Sequence, residues 1–139
     1  MTEPATARML APGVATGEVL VLDEALSFWG GFDPKTGLLI DTHHPQAGAA
    51  LTGRVLVMAS GRGSSSSSYV FAEAIRAGTA PAAVVLGETD TIVALGAIVA
   101  SELYGIEVPV VVAREHGLVS GRRATVRADP FGPAGITVE

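Results

Sequence analysis

The chain has 139 residues, a length that gives one domain with a sizeable core. With 48% hydrophobic residues, 17% charged and no cysteine, it is neither a disordered chain nor a disulfide scaffold, and it has no thiolate for a nucleophile, a zinc finger or an iron–sulfur cluster of its own. Its 14 acidic and 9 basic residues, a net of −5, exclude the cationic footprint of a nucleic-acid binder.

In chain order, Met1-Thr-Glu-Pro-Ala5 lacks the basic-then-apolar layout of a secretory signal. No apolar run approaches the ~18 residues of a membrane span, so a cytoplasmic protein without a membrane partner is expected. Residues 17–22 (Gly-Glu-Val-Leu-Val-Leu) and 37–40 are short apolar runs that read as strands. Between them Phe28-Trp-Gly-Gly-Phe-Asp-Pro-Lys-Thr-Gly37 is dense in turn residues, and Asp33-Pro34 with Gly37 makes a turn that sets the two strands side by side.

Arg54-Val-Leu-Val-Met-Ala59 reads as a buried strand, the serine tract after it as a loop, and residues 69–77 as a helix. That helix carries Val70, Phe71, Ala74 and Ile75 on one face, Glu73 and Arg76 on the other, and stops at Gly78. A second unit repeats the rhythm: a strand over 81–86, a helix capped by Asp90 running through Ile92, Leu95, Ile98, Val99 and Leu103 to Gly105, and a strand over 108–112. Alternation over 123–127 gives a half-exposed strand, and residues 135–139 a last edge strand. The expected class is therefore α/β, with a β-rich layer from both termini around a central β-α-β-α-β unit and its small parallel sheet.

Gly61-Arg62-Gly63-Ser64-Ser65-Ser66-Ser67-Ser68 lies between a buried strand and a helix, at the carboxyl end of a strand, where ligands bind in open α/β sheets. Glycines allow a tight backbone, and a helix N-terminus offers unpaired N–H groups to an anion that hydroxyls and Arg62 would help hold. A flexible linker or a plain N-cap is the bland alternative, but a linker fused to apolar elements on both sides would sever the core. A P-loop would need a lysine after its second glycine, and there is none. Gly61-x-Gly63-x-x-Ser66, with Glu88 about 25 residues on, partly fits a dinucleotide fingerprint but lacks its third glycine. A non-catalytic anion- or nucleotide-binding module is thus the runner-up.

With that loop in view, the chain resembles the small subunit, or swivel domain, of the aconitase X family. The likeness runs through Leu26-Ser-Phe-Trp-Gly-Gly-Phe-Asp-Pro-Lys-Thr-Gly37, Ile40-Asp-Thr-His-His-Pro45, Gly53-Arg-Val-Leu-Val57, Gly61-Arg-Gly-Ser-Ser65, Ser68-Tyr-Val70 and Ile92-Val-Ala-Leu-Gly-Ala-Ile98, which together span nearly the whole length. The resemblance implies a swivelling β/β/α fold, with residues 1–139 forming one such domain. It also implies a partner: a larger subunit whose cysteines bind an iron–sulfur cluster, over which the small domain closes. Members similar to this chain dehydrate cis-3-hydroxy-L-proline to Δ1-pyrroline-2-carboxylate in bacteria, or (R)-5-phosphomevalonate in archaea.

In such a dehydration a base takes a proton from carbon while a Lewis-acidic iron draws off hydroxide. Serine serves as that base only if its alkoxide is stabilised by N–H groups, hydroxyls or a cation. By position in the motif the family's catalytic serine falls on Ser64. Gly63, Ser65 and Ser66 are then donors to a substrate carboxylate or phosphate, and Arg62 either holds that anion or caps the loop. The arginine-rich, lysine-poor composition favours the bacterial substrate by association with GC-rich genomes.

Four further features stand apart from the loop. Trp29 is expected at a partner interface, with a substrate wall as the second reading. His43 and His44 precede Pro45 in an extended segment and point apart, so they do not build a metal site alone. Glu88 and Asp90 fall near the proposed site, with Asp90 most simply an N-cap. Arg122 and Arg123 read as a solvated turn, and Lys35 and Arg54 have no position that the sequence fixes.

Overall fold

Seven strands close into a barrel in the computed structural model, which describes residues 5–61 and 63–139. The elements are β1 (Ala5–Ala11), β2 (Gly13–Val21), a single turn α1 (Phe28–Gly31), β3 (Phe32–Asp33), β4 (Leu38–Leu39), β5 (Val55–Met58), α2 (Ser66–Ala77), β6 (Ala83–Leu86), α3 (Thr91–Tyr104), β7 (Val110–Val112), β8 (Arg123–Ala128) and β9 (Ala134–Val138). Around the barrel the order is β1-β7-β6-β5-β2-β8-β9, and β9 returns to β1 with Ala5 opposite Ile136. Strands β2, β5, β6 and β7 run parallel, and the remaining pairings are antiparallel.

The strand sequences follow from two cores on either side of the parallel strands. Successive residues of a strand face opposite ways. Val55 and Val57 of β5, Val85 of β6 and Val111 of β7 therefore join Val126, Ile136 and Leu118 inside the barrel. Leu56, Met58, Val84, Leu86 and Val110 face outward, where α2 and α3 cover them with Val70, Phe71, Ile75, Val93 and Ala97. Covered on both faces, β5 and β6 are apolar at every position, whereas β8 alternates because only its inner face is buried.

The two helices pack at very short range. A Cβ added at Gly96 would lie 2.8 Å from the Ser68 carbonyl oxygen and 3.2 Å from the Phe71 ring, so α3 presents Gly96, Ala97 and Ala100 inward. Its large residues turn out instead: Leu95 and Leu103 are 51% and 68% exposed, beside Tyr69 of α2 at 72%. Gly78 and Gly105 end the helices in the left-handed conformation, and Asp90 caps α3 by accepting from the N–H groups of Ile92 and Val93.

The expected helices and parallel strands are all present, with four differences. Strand β1 is not expected from the sequence, because its Ala-Thr-Ala-Arg-Met-Leu-Ala run is only weakly patterned. The runs at 17–22 and 37–40 are not neighbours: β2 lies between β5 and β8, while β4 folds back on β3 through the Asp33–Gly37 turn, Phe32 opposite Leu39. Strand β9 is not an edge, since it pairs with both β8 and β1. Helix α2 begins at Ser66, inside the serine tract, rather than at Tyr69. No helix among the described residues is long and apolar enough to cross a membrane.

Candidate functional site

The carboxyl ends of β5, β6 and β7 lie side by side, with Met58 in register with Leu86 and Leu86 with Val112. Three connections leave this crest: the serine tract after β5, residues 87–90 after β6, and Ala113-Arg114 after β7. A ligand on an α/β sheet is met at such ends, where backbone groups and helix N-termini are not yet paired.

Gly61, Gly63, Ser64, Ser67 and Asp90 meet in a recess floored by Leu26, Phe28, Ile92 and Val93. The closeness of the serine tract to α3 depends on Gly61, where a Cβ would stand 2.1 Å from Asp90 Oδ2. Ser64 is half-buried, and its hydroxyl accepts the Ser66 N–H at 3.2 Å while its carbonyl accepts the Ser67 N–H at 2.9 Å. A hydroxyl two residues ahead of its N–H donor is the compact turn by which serine opens a helix. The recess itself holds only about 10 Å³, scarcely one water, so it does not by itself enclose a substrate-sized group.

Of the residues the sequence proposed, Gly63 and Ser64 line the recess, while Ser65 is exposed and Ser66 engages Ser64 through its N–H. Arg62 lies outside the described residues. Ser68 donates its hydroxyl to the Ile92 carbonyl at 2.6 Å and ties α2 to the first turn of α3.

Ser67 is the residue that sequence reasoning missed. It is 4% exposed, and its Oγ accepts the Trp29 N–H at 3.1 Å and lies 3.4 Å from Ser27 Oγ. Ser27 in turn donates to the Trp29 carbonyl at 2.9 Å, so the hydrogen bonds form a ring that holds α1 against α2. Phe28 completes the clamp, stacked on Phe71 with ring centroids 4.8 Å apart. The signal was available in the helical period: Ser67 precedes Phe71 and Ala74 by four and seven residues, on the buried face. The Trp29 side chain itself stands 57% exposed above this ring.

Other candidates take structural roles or stand elsewhere. His44 is buried, its Nδ1 accepting the Gln46 N–H at 3.0 Å, which leaves Nε2 to donate to the Glu24 carbonyl at 2.9 Å. His43 is exposed. Arg54 precedes β5 and pairs with Glu18 at 3.7 Å, and the turn bearing Lys35 is tied to Thr79 beyond the end of α2, so both cations stand at the end of the barrel away from Ser64. Arg122 and Arg123 are exposed beside Glu139. Arg8 and Arg114, which no local sequence pattern singles out, sit on the crest by the 87–90 connection: Arg8 donates to the Thr89 hydroxyl and Arg114 Nε to the Gly87 carbonyl at 3.3 Å.

Over 103 residues, 74% of the chain, it is 52% identical to a cis-3-hydroxy-L-proline dehydratase of Pseudomonas aeruginosa. The match spans 18% of that protein, and the match to the like-named Hypocrea jecorina enzyme spans 17% of it. To the phosphomevalonate dehydratase small subunit of Thermococcus onnurineus it is 40% identical over 124 residues, covering 88% of this chain and 90% of that one. The crystal structure of Thermococcus kodakaraensis aconitase X in its holo-form superposes with a TM-score of 0.85 at 35% identity, over 98% of this chain and 99% of that chain. Residues 4–130 match the model of the aconitase X swivel domain, and the chain belongs to that family.

Proposed function

We propose that this chain is the small subunit of an aconitase X-type dehydratase, a single swivel domain that closes on a larger chain and supplies Ser64 as the base. The observation that carries the reading is the Ser66 N–H donated to Ser64 Oγ at the start of α2, beside Asp90, in a recess too small to enclose a substrate alone. That N–H and the positive end of the helix dipole would stabilise the alkoxide a serine base requires.

The substrate we favour is cis-3-hydroxy-L-proline, on the strength of the 52% identity to the Pseudomonas enzyme. Ser64 Oγ takes the proton from the carbon bearing the carboxylate. The electron pair of that C–H bond forms the ring double bond, and the C3–O bond breaks. The departing hydroxide leaves with one proton as water, and the enamine tautomerises to Δ1-pyrroline-2-carboxylate. The N–H groups of Gly63 and Ser65 and the hydroxyls of Ser65 and Ser66, with Arg62, would hold the substrate carboxylate. (R)-5-Phosphomevalonate is the second reading, supported by the near-complete overlap with the Thermococcus subunit.

The iron–sulfur cluster that the family implies does not fit this chain. It has no cysteine, and among the described residues no group of three His, Asp or Glu is placed to hold a metal ion. We assign the cluster to the larger partner, and place both chains in the cytoplasm. The reading is tested by co-expressing a large aconitase X subunit with this chain and assaying both substrates side by side. Turnover of cis-3-hydroxy-L-proline is expected; turnover of phosphomevalonate alone would exchange the two substrates, and turnover of neither would leave only the fold.

A further inference from the structure

We propose that the groove between α2 and α3 is the surface on which the larger subunit docks, and that it takes an apolar face of that chain. The proposal rests on the reading of this chain as a small subunit that closes on a larger one, and adds where the two meet. The groove has a volume of about 300 Å³, with buried Ala72 and half-buried Val99 at its floor. Its walls are Tyr69 from α2 and Leu95, Leu103 and Tyr104 from α3.

Helix α3 is apolar all round. Thr91–Tyr104 contains one charged residue, Glu102, and a helix of that composition is ordinarily covered on every side. Here the sheet and α2 cover one side only. Packing against α2 draws Gly96, Ala97 and Ala100 inward and displaces the large residues outward, but it does not make them apolar; a solvated outer face would carry Glu, Lys or Gln at positions 95 and 103. Among the described residues, four of the eleven exposed large hydrophobics line this one groove. Single exposed apolar residues need no explanation, whereas a contiguous cluster with an aromatic on each side marks a contact with another protein. The one carboxylate lining the groove, Glu73, is held by Arg76, whose Nε donates to it at 2.9 Å. That pair is neutral as a unit, so an apolar partner strands no charge at the rim.

Continuity decides the occupant. Ser68 lines the groove and donates its hydroxyl to the Ile92 carbonyl, and Ile92 lines the recess of Ser64. Groove and recess therefore share a boundary at the N-terminal ends of both helices, and the exposed Ser65 stands one turn before Tyr69. A chain that closes over Ser64 to complete its site comes to rest against the head of the groove. In the Pseudomonas relative the matched segment is 18% of the protein, so the rest of that polypeptide is several times longer and has the reach to cover recess and helices together. A second copy of this chain seated in the groove would lie beside Ser64 with no cysteine to bring to it.

The test measures the affinity of the full chain for a large aconitase X subunit by calorimetry. Leu95→Glu and Leu103→Glu place a good helix former at exposed positions, so unfolding in urea should be unchanged, while each should weaken association ~10-fold or more. Val14→Glu is the control: its exposed apolar position lies on β2 opposite Arg127 of β8, away from both helices, and association should be unaffected. Association that both leucine variants leave intact, or that Val14→Glu weakens equally, would overturn the groove as the docking surface and leave the small-subunit reading standing. Failure of the unmutated chains to associate would overturn both. Sedimentation of the isolated chain tests the second copy: a monomer is expected, and a dimer that Leu103→Glu dissociates would overturn the proposal in favour of self-association.

Discussion

The backbone N–H of Trp29 ends on the hydroxyl of a serine thirty-eight residues later, Ser67, at 3.1 Å. This single bond joins the Phe28–Gly31 turn to the first turn of α2, and therefore to the hydroxyl of Ser64 one turn before it. Removing the Ser67 hydroxyl leaves the part-buried Trp29 N–H without its partner. We expect Ser67→Ala to lower the unfolding free energy by ~1–3 kcal/mol, measured by urea denaturation. The fluorescence of the sole tryptophan should shift as its turn loosens, and an unaltered spectrum would show that the ring does not position the indole.

Ser64→Ala separates chemistry from structure. The hydroxyl is half-buried and accepts one N–H, so its loss should cost α2 about 1 kcal/mol, within the range of a serine cap. Turnover of the assembled enzyme should fall to background while the large subunit still binds. Near-normal turnover would remove Ser64 from the role of base.

Gly61 and Asp90 are coupled through space. In Gly61→Ala the new Cβ would stand on Asp90 Oδ2, forcing the carboxylate away from the N–H groups of Ile92 and Val93. Asp90→Ala alone should cost ~0.5–2 kcal/mol as a lost cap. The double variant should be less destabilised than the sum of the two single changes, by ~0.5 kcal/mol or more, because the clash and the cap disappear together. Strict additivity in a double-mutant cycle would contradict the contact.

His116 gives a pH dependence. Its Nδ1 accepts the Leu118 N–H at 2.9 Å, and Leu118 fills the barrel core, while burial lowers the ring's pKa below the ordinary value of 6.5. As pH falls through 6.5 the unfolded chain takes up a proton that the folded chain resists, so the folded state loses stability until its own lower pKa is passed. Above 6.5 the ring is neutral in both states and the loss vanishes. His116→Asn, which can accept the same N–H without titrating, should flatten the stability profile on the acid side of that value in denaturation series. A profile as steep as that of the unmutated protein would assign the slope to other groups.

The parts of this fold that local sequence expresses are those whose burial is local. Strands β5 and β6 are apolar at each position because two cores press on them, and α3 is bracketed by Asp90 and Gly105, so both stand out without knowledge of partners. Barrel closure depends on β1 meeting β9, where Ala5, Thr6 and Ala7 pair with Ile136, Gly135 and Ala134 more than 120 residues away, a pairing no local pattern announces. The same holds within the site. Ser64 was marked by the glycines before it, but Ser67 stood among identical neighbours, and only its period with Phe71 and Ala74 distinguished it. Arg8 and Arg114 acquire a common cleft from strand register alone. The apolar residues that α3 turns outward had the same origin: Gly96, Ala97 and Ala100 are what a close helix requires, and that closeness is set by α2.

The pairing of Ala5 with Ile136 brings the two ends of the described chain out of the barrel side by side. A module of this kind can be joined to a larger polypeptide at either end, or reopened elsewhere, without rethreading its core, since a short linker spans the gap at small entropic cost. That freedom matches the two forms in which its relatives occur: a separate small subunit of nearly the same length in Thermococcus, and a segment amounting to 18% of one long chain in Pseudomonas. Circular permutation through the Phe131 loop, with the original ends linked, is the corresponding engineering route to a tethered enzyme whose swivel domain enters from the other side.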